Sequence, residues 1–148
     1  GSAYAKAESG AGNFLPISGA VFISVNDSDK IAVIPMARDF IELGFVVIAT
    51  EGTAELLSEN GVPASPIFKV GEGRPNVVDA IKNGEIQLVI NTPLGAQSRF
   101  DEYEIGRSAI RYKVPVITTI SGAQAAIRGI RNIKGGTIQY RSLQEVFT

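Results

Sequence analysis

Three runs of consecutive apolar residues constrain the fold of this chain more than any other feature. They lie at 20–25 (AVFISV), 45–49 (FVVIA) and 86–91 (IQLVIN), and each contains β-branched side chains. A strand that is apolar at nearly every position is typical of a parallel sheet, in which helices cover both faces. Because segments with helical periodicity separate these runs, the sequence predicts an α/β fold built around a parallel sheet.

Weaker patterns complete the alternation of strands and helices. After the first run, the turn-prone residues 26–29 precede an amphipathic helix that ends at Gly44. The buried face of this helix is predicted to consist of Ile31, Ile34, Ala37, Ile41 and Leu43. Further strands are predicted at 66–69 and 114–119, and further helices at 50–61, 75–82, 100–112, 124–131 and 142–147.

The first 19 residues differ in texture from the rest of the chain. They are small, rich in Gly, Ser and Ala, and aperiodic. We expect residues 1–19 to be a linker or the tail of a preceding domain, with Gly1 and Ser2 as a cloning scar. Residues 20–148 are then predicted to form one folded domain.

Composition narrows the chemistry that such a domain can perform. The chain has no Cys and no His among its 148 residues, which excludes disulfides, thiolate metal sites and Ser-His-Asp triads. Its formal net charge of −1 gives no electrostatic reason to expect a nucleic-acid partner. No apolar run approaches the roughly 20 residues of a membrane-spanning helix. The lack of Cys fits a cytoplasmic protein, and the residues that remain favour a binding domain over an enzyme.

Polar residues follow the predicted strands, at the edge where a doubly wound sheet binds its ligands. Thr50, Gly52 and Thr53 stand at the start of a predicted helix, whose free N–H groups and positive dipole end attract anions. Lys30 follows the first predicted strand, Lys69 ends the strand predicted at 66–69, and both would add positive charge. Together these residues predict a phosphate-binding pocket.

Several residues in and near this predicted pocket have a structural interpretation as well as a functional one. Arg74 would offer a planar guanidinium to an anion, whereas the GEG stretch at 71–73 is more typical of a flexible loop. Either threonine could be an ordinary N-cap, and Lys30 could lie on a solvated helix face. The carboxylates at 101, 102 and 104 are expected to stabilise the start of a helix rather than to bind a ligand.

Four longer stretches resemble one family. FISVNDSDK (22–30), GFVVIATEGTAELLSENGV (44–62), KVGEGRPNVVDAIKNGEIQLVINT (69–92) and GRSAIRYKVPVITT (106–119) are similar to the C-terminal regulatory domain of the carbamoyl-phosphate synthase large chain. The AYAKA stretch at 3–7 also looks like the end of the preceding catalytic domain. The resemblance covers about residue 20 to the C-terminus and implies that these residues are part of a longer protein.

The resemblance implies a fold and a function. The fold would be methylglyoxal-synthase-like, with three layers and a five-stranded parallel sheet in the order 3-2-1-4-5. The domain would bind a nucleoside monophosphate, of the UMP or IMP type, and control a glutamine-hydrolysing, ATP-dependent ligase that supplies pyrimidine and arginine synthesis. Its partners would be the catalytic domains of the same chain and a glutaminase small subunit. No cofactor is expected in this domain, whereas ATP, Mg²⁺ and K⁺ are expected in the full-length chain.

The same resemblance implies which residues contact the effector, and none of them is expected to be catalytic. The phosphate would be bound by Lys30, Thr50, Thr53 and Lys69. Gly52 is added to this set from its own properties, because a residue without a side chain lets the backbone approach a ligand closely. Ribose and base would be bound by Asn91 and Thr92. Ser24, which lies near the matched positions, and Arg74, for its planar guanidinium, are added to these as expected ribose or base contacts.

Some positions depart from the family pattern. Pro93 replaces a threonine that often follows Asn-Thr, and Val116 replaces a tyrosine that helps to bind ornithine in some members, so ornithine activation is not carried over. Methylglyoxal synthase and the IMP cyclohydrolase domain are the enzymatic alternatives. Methylglyoxal synthase uses a catalytic Asp where this chain has Arg74, and it also uses a His, which this chain lacks. The downstream signature of the IMP cyclohydrolase domain is replaced here by EGRPNVVDAIKNG. A structural or oligomerisation module with a vestigial pocket is the third alternative.

Overall fold

A parallel five-stranded sheet forms the centre of the molecule. The computed structural model describes the backbone of residues 4–6, 14–70, 72–93 and 99–147, and the side chains of 15–70, 72–93 and 102–134. The strands are β1 (Tyr4–Lys6), β2 (Phe14–Pro16), β3 (Gly19–Ser24), β4 (Phe45–Thr50), β5 (Ser65–Ile67), β6 (Leu88–Asn91) and β7 (Val116–Ile117). The helices are η1, a 3₁₀ turn (Asp27–Asp29), α1 (Lys30–Glu42), α2 (Glu51–Glu59), α3 (Val77–Lys82), α4 (Arg99–Arg111) and α5 (Ile120–Phe147).

The first strand of this sheet along the chain, β3, lies at its centre. The order is β5-β4-β3-β6-β7, and all four neighbouring pairs are parallel. Counted along the strands of this sheet alone, the order is 3-2-1-4-5, which confirms the predicted topology. The chain therefore runs first to one side of β3 and then to the other, and this reversal creates a crevice at the carboxyl ends of the central strands.

Alternate side chains of the central strands face two separate cores. On one face, Val21 and Ile23 of β3 pack in a cluster with residues of α1, α2 and α5. On the other face, Phe22 packs in a cluster with residues of α3 and α4. Because both faces are covered, the strands are apolar at consecutive positions, as the sequence pattern indicated.

The buried face of α1 differs from the predicted one. The fully buried residues are Val33, Met36, Ala37 and Phe40, whereas Ile31 is 85% exposed. Of the predicted positions, only Ala37 is fully buried, while Ile34, Ile41 and Leu43 lie at the border of the core. The predicted buried face was therefore wrong by a small rotation about the helix axis. Several faces of this helix are apolar, and only packing against the sheet and α5 selects one of them.

Pro35 lies inside α1, at an exposed position. Proline cannot donate the usual backbone hydrogen bond to the residue four positions earlier, which here is Ile31. Because both residues are exposed, water can hydrate the carbonyl that is left without this bond. The helix therefore tolerates a residue that normally breaks helices.

Several boundaries differ from the predictions. β7 is limited to Val116–Ile117, and α3 begins at Val77 with Asn76 as its N-cap. The helices predicted at 124–131 and 142–147 are parts of one helix, α5. Within the segment predicted to be an aperiodic linker, β1 pairs antiparallel with β2, a pairing that the sequence pattern did not indicate.

Gly19 begins β3 in a conformation that other residues avoid. Its φ is +113°, and a Cβ at this position would lie 2.3 Å from Oε1 of Gln87. That oxygen accepts a hydrogen bond from the backbone N–H of Ala20 at 2.7 Å. Gly19→Ala would therefore combine backbone strain with a clash that displaces Gln87.

We expect Gly19→Ala to lower the free energy of unfolding by more than about 1 kcal/mol. Gly61→Ala is the control, because Gly61 also has a positive φ, +75°, but no atom of the described residues lies within 4 Å of its Cβ position. Urea denaturation of both variants separates strain from clash. Equal losses in the two variants would contradict the clash with Gln87.

Within the described part of the chain, we find no helix that is both long enough and apolar enough to cross a membrane.

Candidate functional site

The register of the central strands brings three polar residues to one edge of the sheet. Ser24 at the end of β3 pairs with Asn91 at the end of β6. Thr50 ends β4, one residue beyond Ala49, which pairs with Ile23. All three side chains are buried. Polar groups thus replace the apolar pattern where the central strands end.

A groove of about 230 Å³ opens at this edge, beside the start of α2. It is lined by Ser24, Val25, Asn26, Asp27, Lys30, Thr50, Gly52, Thr53 and Lys69. The structure thus brings together all five residues that were expected to contact a phosphate. They come from three separate segments of the chain and meet because β3, β4 and β5 are neighbours in the sheet.

The N-terminus of α2 forms one wall of the groove. Thr50 is the N-cap of this helix, with extended backbone angles, but its side chain makes no capping hydrogen bond. The ordinary N-cap role considered for Thr50 is therefore not what its hydroxyl does. Thr53 lies one turn further along, is buried, and also lines the groove. Two threonines and the positive end of a helix dipole consequently border the same space.

Lys30 and Gly52 lie close together in the groove. The Nζ atom of Lys30 lies 3.8 Å from the position that a Cβ on Gly52 would occupy, and 3.2 Å from Oδ1 of Asp27. Asp27 is almost fully exposed, so water screens this ion pair. The ammonium group therefore lies over the backbone at the start of α2, and a bound anion could contact both.

Lys69 is held by its own loop. Its backbone N–H donates to Oε1 of Glu72 at 2.9 Å, and its carbonyl accepts from the N–H of Glu72 at 3.1 Å. These two bonds fix the backbone of Lys69 without using its ammonium group. The side chain lines the groove and also a small inner pocket next to it.

The inner pocket lies between the sheet and α4. It is lined by Phe22, Ser24, Thr50, Lys69, Val77, Asn91, Glu102 and Ile105. Asn91 thus lies beside the groove, next to residues that line both spaces. The sequence interpretation assigned Glu102 only to the helix start, whereas the packing of α4 also brings it to this pocket.

Arg74 is not among the residues that line either space. Its side chain is 80% exposed and forms a two-pronged ion pair with Asp79, with Nη2–Oδ1 and Nε–Oδ2 distances of 2.8 and 3.3 Å. Asp79 also accepts a hydrogen bond from the N–H of Asn76, and Asn76 in turn caps α3. In this structure, Arg74 therefore stabilises the start of α3.

The same contacts set the acidity of Asp79. The N–H of Asn76 holds the pKa of this carboxyl below its usual value; partial burial opposes that effect, and the Arg74 guanidinium adds to it. A lowered pKa in the folded state means that ionised Asp79 favours folding. Its contribution is therefore present above the unfolded-state pKa of about 3.9 and is lost as the pH falls through the folded-state value.

We expect the difference in free energy of unfolding between the wild type and Asp79→Asn to be largest near neutral pH and to shrink below about pH 4. Urea denaturation between pH 7 and pH 3 measures this difference. Arg74→Ala should remove only part of the pH dependence, because the bond from Asn76 remains. A difference that stays constant across this range would contradict the role of the carboxylate.

Thr92 is also absent from the lining of both spaces. It is 1% exposed, and its Oγ1 accepts a hydrogen bond from the N–H of Asn26 at 2.9 Å. Its own N–H donates to the carbonyl of Ser24 at 2.9 Å. The hydroxyl thus contacts the protein at a position that the family resemblance assigned to the ligand.

The structure adds polar residues that were not among the predicted site residues. Asn26 and Asp27 line the groove, and their position directly after a strand was the signal that could have selected them. Glu102 gave no such signal, because it lies on a helix well beyond the end of its strand. Only the packing of α4 against α3 and the sheet brings it close to Lys69.

Comparison with known proteins agrees with this architecture. The sequence model of the MGS-like domain matches residues 32–118. The carbamoyl phosphate synthase large chain of Nostoc sp. is 50% identical over 98% of this chain, which covers 13% of that protein. The C-terminal section of the large chain of Aquifex aeolicus is 46% identical over 99% of this chain and 28% of that protein.

A solved structure shares the fold at much lower identity. Methylglyoxal synthase from Elizabethkingia anophelis superposes with a TM-score of 0.59 and 16% identity, covering 76% of this chain and 79% of that one. This likeness shows the fold alone. The chain spans about an eighth of the length of its Nostoc relative. On the family match and the shared fold together, this chain belongs to the MGS-like domains, and its close relatives are large chains of carbamoyl phosphate synthase.

Proposed function

We propose that this chain is the allosteric regulatory domain of a glutamine-dependent carbamoyl phosphate synthase large chain, and that it binds a nucleoside monophosphate. The observation that carries the proposal is the groove in which Lys30, Lys69 and the N-terminus of α2 converge. Relatives that match nearly the whole chain are carbamoyl phosphate synthase large chains, which supports the assignment to that enzyme.

The chemistry of the groove suits a phosphate dianion. Two ammonium groups supply charge, and the hydroxyls of Thr50 and Thr53 can donate hydrogen bonds. The first N–H groups of α2 have no partner within the helix and can donate to phosphate oxygens. The backbone at Gly52 carries no side chain that would stand in front of them.

The ribose and base would then extend along the groove towards the inner pocket. Ser24 and Asn91 lie on that side and offer a hydroxyl and an amide. We keep these two residues as contacts for the nucleoside. For Arg74 and Thr92 we propose no direct contact, since one is paired with Asp79 and the other is buried against Asn26.

Regulation would arise from differential binding. An effector changes the activity of an enzyme only when its affinity differs between the active and inactive states. We assign no catalytic role to this domain, and place the ATP, Mg²⁺ and K⁺ sites in the other domains of a cytoplasmic large chain. Those domains and a glutaminase small subunit are the proposed partners, and the product would enter pyrimidine and arginine synthesis.

Calorimetric titration with UMP and IMP tests the binding proposal. We expect one of the two nucleotides to bind at or below millimolar concentration. If neither binds at millimolar concentration, the assigned ligand is wrong. Formation of methylglyoxal from dihydroxyacetone phosphate by the purified chain would instead support the enzymatic alternative.

Deletion of this domain from the full-length enzyme tests the regulatory proposal. We expect the truncated enzyme to lose its response to the nucleotide. A response that survives the deletion would instead support the alternative that this domain is a structural or oligomerisation module with a vestigial pocket.

A further inference from the structure

Three hydrogen bonds join the end of β3 to the end of β6. The N–H of Thr92 donates to the carbonyl of Ser24, and the N–H of Asn26 donates to Oγ1 of Thr92, both at 2.9 Å. The side-chain amide of Asn26 donates to the carbonyl of Pro93 at 3.0 Å. We call the two bonds made by Asn26 with Thr92 and Pro93 the Asn26 latch. The latch joins segments that are 66 and 67 residues apart in sequence.

One end of the latch lies beneath the groove and the other lies in it. Thr92 is buried and lines neither the groove nor the inner pocket. Asn26 lines the groove directly. Among the described residues, the backbone N–H of Asn26 is therefore what links the hydroxyl of Thr92 to the ligand space.

Asn26 also fixes the segment that carries Lys30. Its Oδ1 accepts a hydrogen bond from the N–H of Asp29 at 3.0 Å and thereby caps η1. Lys30 follows η1 directly as the first residue of α1. The latch thus sets the position from which the Lys30 side chain enters the groove, and a charged group held in place in advance binds an anion with a smaller loss of conformational freedom.

We propose that Thr92 is a positioning residue of the phosphate site, which acts through the N–H of Asn26 and does not contact the ligand. The inference rests on the proposed function and makes it more specific. It differs from the role that the family resemblance implies for Thr92, which is a contact with ribose or base. The two roles make different predictions for ligands of different size.

Thr92→Val and Thr92→Ser form a matched pair for the test. Valine has nearly the shape of threonine but cannot accept the hydrogen bond, whereas serine keeps the hydroxyl. With Thr92→Val we expect inorganic phosphate and UMP to bind more weakly by the same factor, about 3- to 10-fold, the loss expected for one hydrogen bond. With Thr92→Ser we expect affinities within about twofold of the wild type.

The test compares the loss of affinity for UMP with the loss of affinity for phosphate. If Thr92→Val weakens UMP binding but leaves phosphate binding unchanged, Thr92 contacts the nucleoside and the positioning role is wrong. Unchanged affinity for both ligands would also overturn it. If the wild type binds IMP but not UMP, the same comparison is made between IMP and phosphate. If it binds none of the three ligands, the proposed function itself fails, and the positioning role fails with it.

Hydrogen exchange tests the same inference without a substitution, and applies even if Thr92→Val does not fold. Because binding linkage is reciprocal, a latch that favours ligand binding is itself favoured by the ligand. We therefore expect saturating UMP to slow the exchange of the Asn26 amide in the wild-type chain. An exchange rate that is the same with and without bound UMP would overturn the proposal.

Discussion

Lys69→Ala should weaken the binding of a nucleoside monophosphate by about 10- to 100-fold, the loss expected when a charged hydrogen-bond donor is removed from a phosphate. The side chain lines both the groove and the inner pocket, so it lies where the phosphate and the sugar would meet. Lys30, in contrast, shares its charge with Asp27. Calorimetric titration of UMP and IMP measures the effect.

The fold should be almost unaffected by Lys69→Ala. The two bonds between Lys69 and Glu72 use backbone atoms of Lys69, so truncation of the side chain leaves them in place. Lys82→Ala is the matched control, since it removes the same charge from an exposed residue that lines neither cavity. If Lys69→Ala binds the nucleotide within twofold of the wild type, the phosphate does not lie in this groove.

Phe40→Ala should lower the free energy of unfolding by about 3–5 kcal/mol, the usual loss when a buried phenylalanine is truncated. Phe40 is fully buried between α1 and the sheet. Its ring contacts that of Phe45 edge to face, with centroids 5.4 Å apart and an interplanar angle of 77°. Because domains are stable by only about 5–15 kcal/mol, the variant would lose a large share of its stability.

Ile31→Ala on the same helix is the control. Ile31 is exposed, and substitutions at such positions usually change stability by less than about 0.5 kcal/mol. Chemical denaturation followed by circular dichroism measures both variants. A loss for Ile31→Ala as large as that for Phe40→Ala would mean that the helix packs through the face predicted from the sequence.

Much of the fold could be predicted because it depends on short-range patterns. Runs of apolar residues identified β3, β4 and β6, and the alternation with helices indicated a parallel sheet. The exact order 3-2-1-4-5 came from the family resemblance and not from these patterns. The face of α1 could not be predicted, since nearly every side of that helix carries an apolar residue.

The residues of the candidate site were likewise predictable where they depend on short-range sequence patterns. Residues that directly follow a strand or begin the next helix, such as Thr50 and Thr53, were found because parallel strands end at one edge of the sheet. Arg74 also lies in such a segment, but its nearest partner is the carboxylate of Asp79. The position of Arg74 in the sequence does not indicate whether its guanidinium pairs with a nearby carboxylate or binds a ligand.

Hydrophobic periodicity and turn chemistry act over a few residues, so the amino-acid pattern was enough to predict most helices and strands and the edge of the sheet that carries polar groups. Which of these polar groups line the groove depends instead on the packing of the whole fold. That packing buried Thr92 beneath Asn26, 66 residues away, and brought Glu102 to the pocket that Lys69 also lines. These outcomes depend on packing and hydrogen bonding between distant segments, which no local pattern of residues encodes.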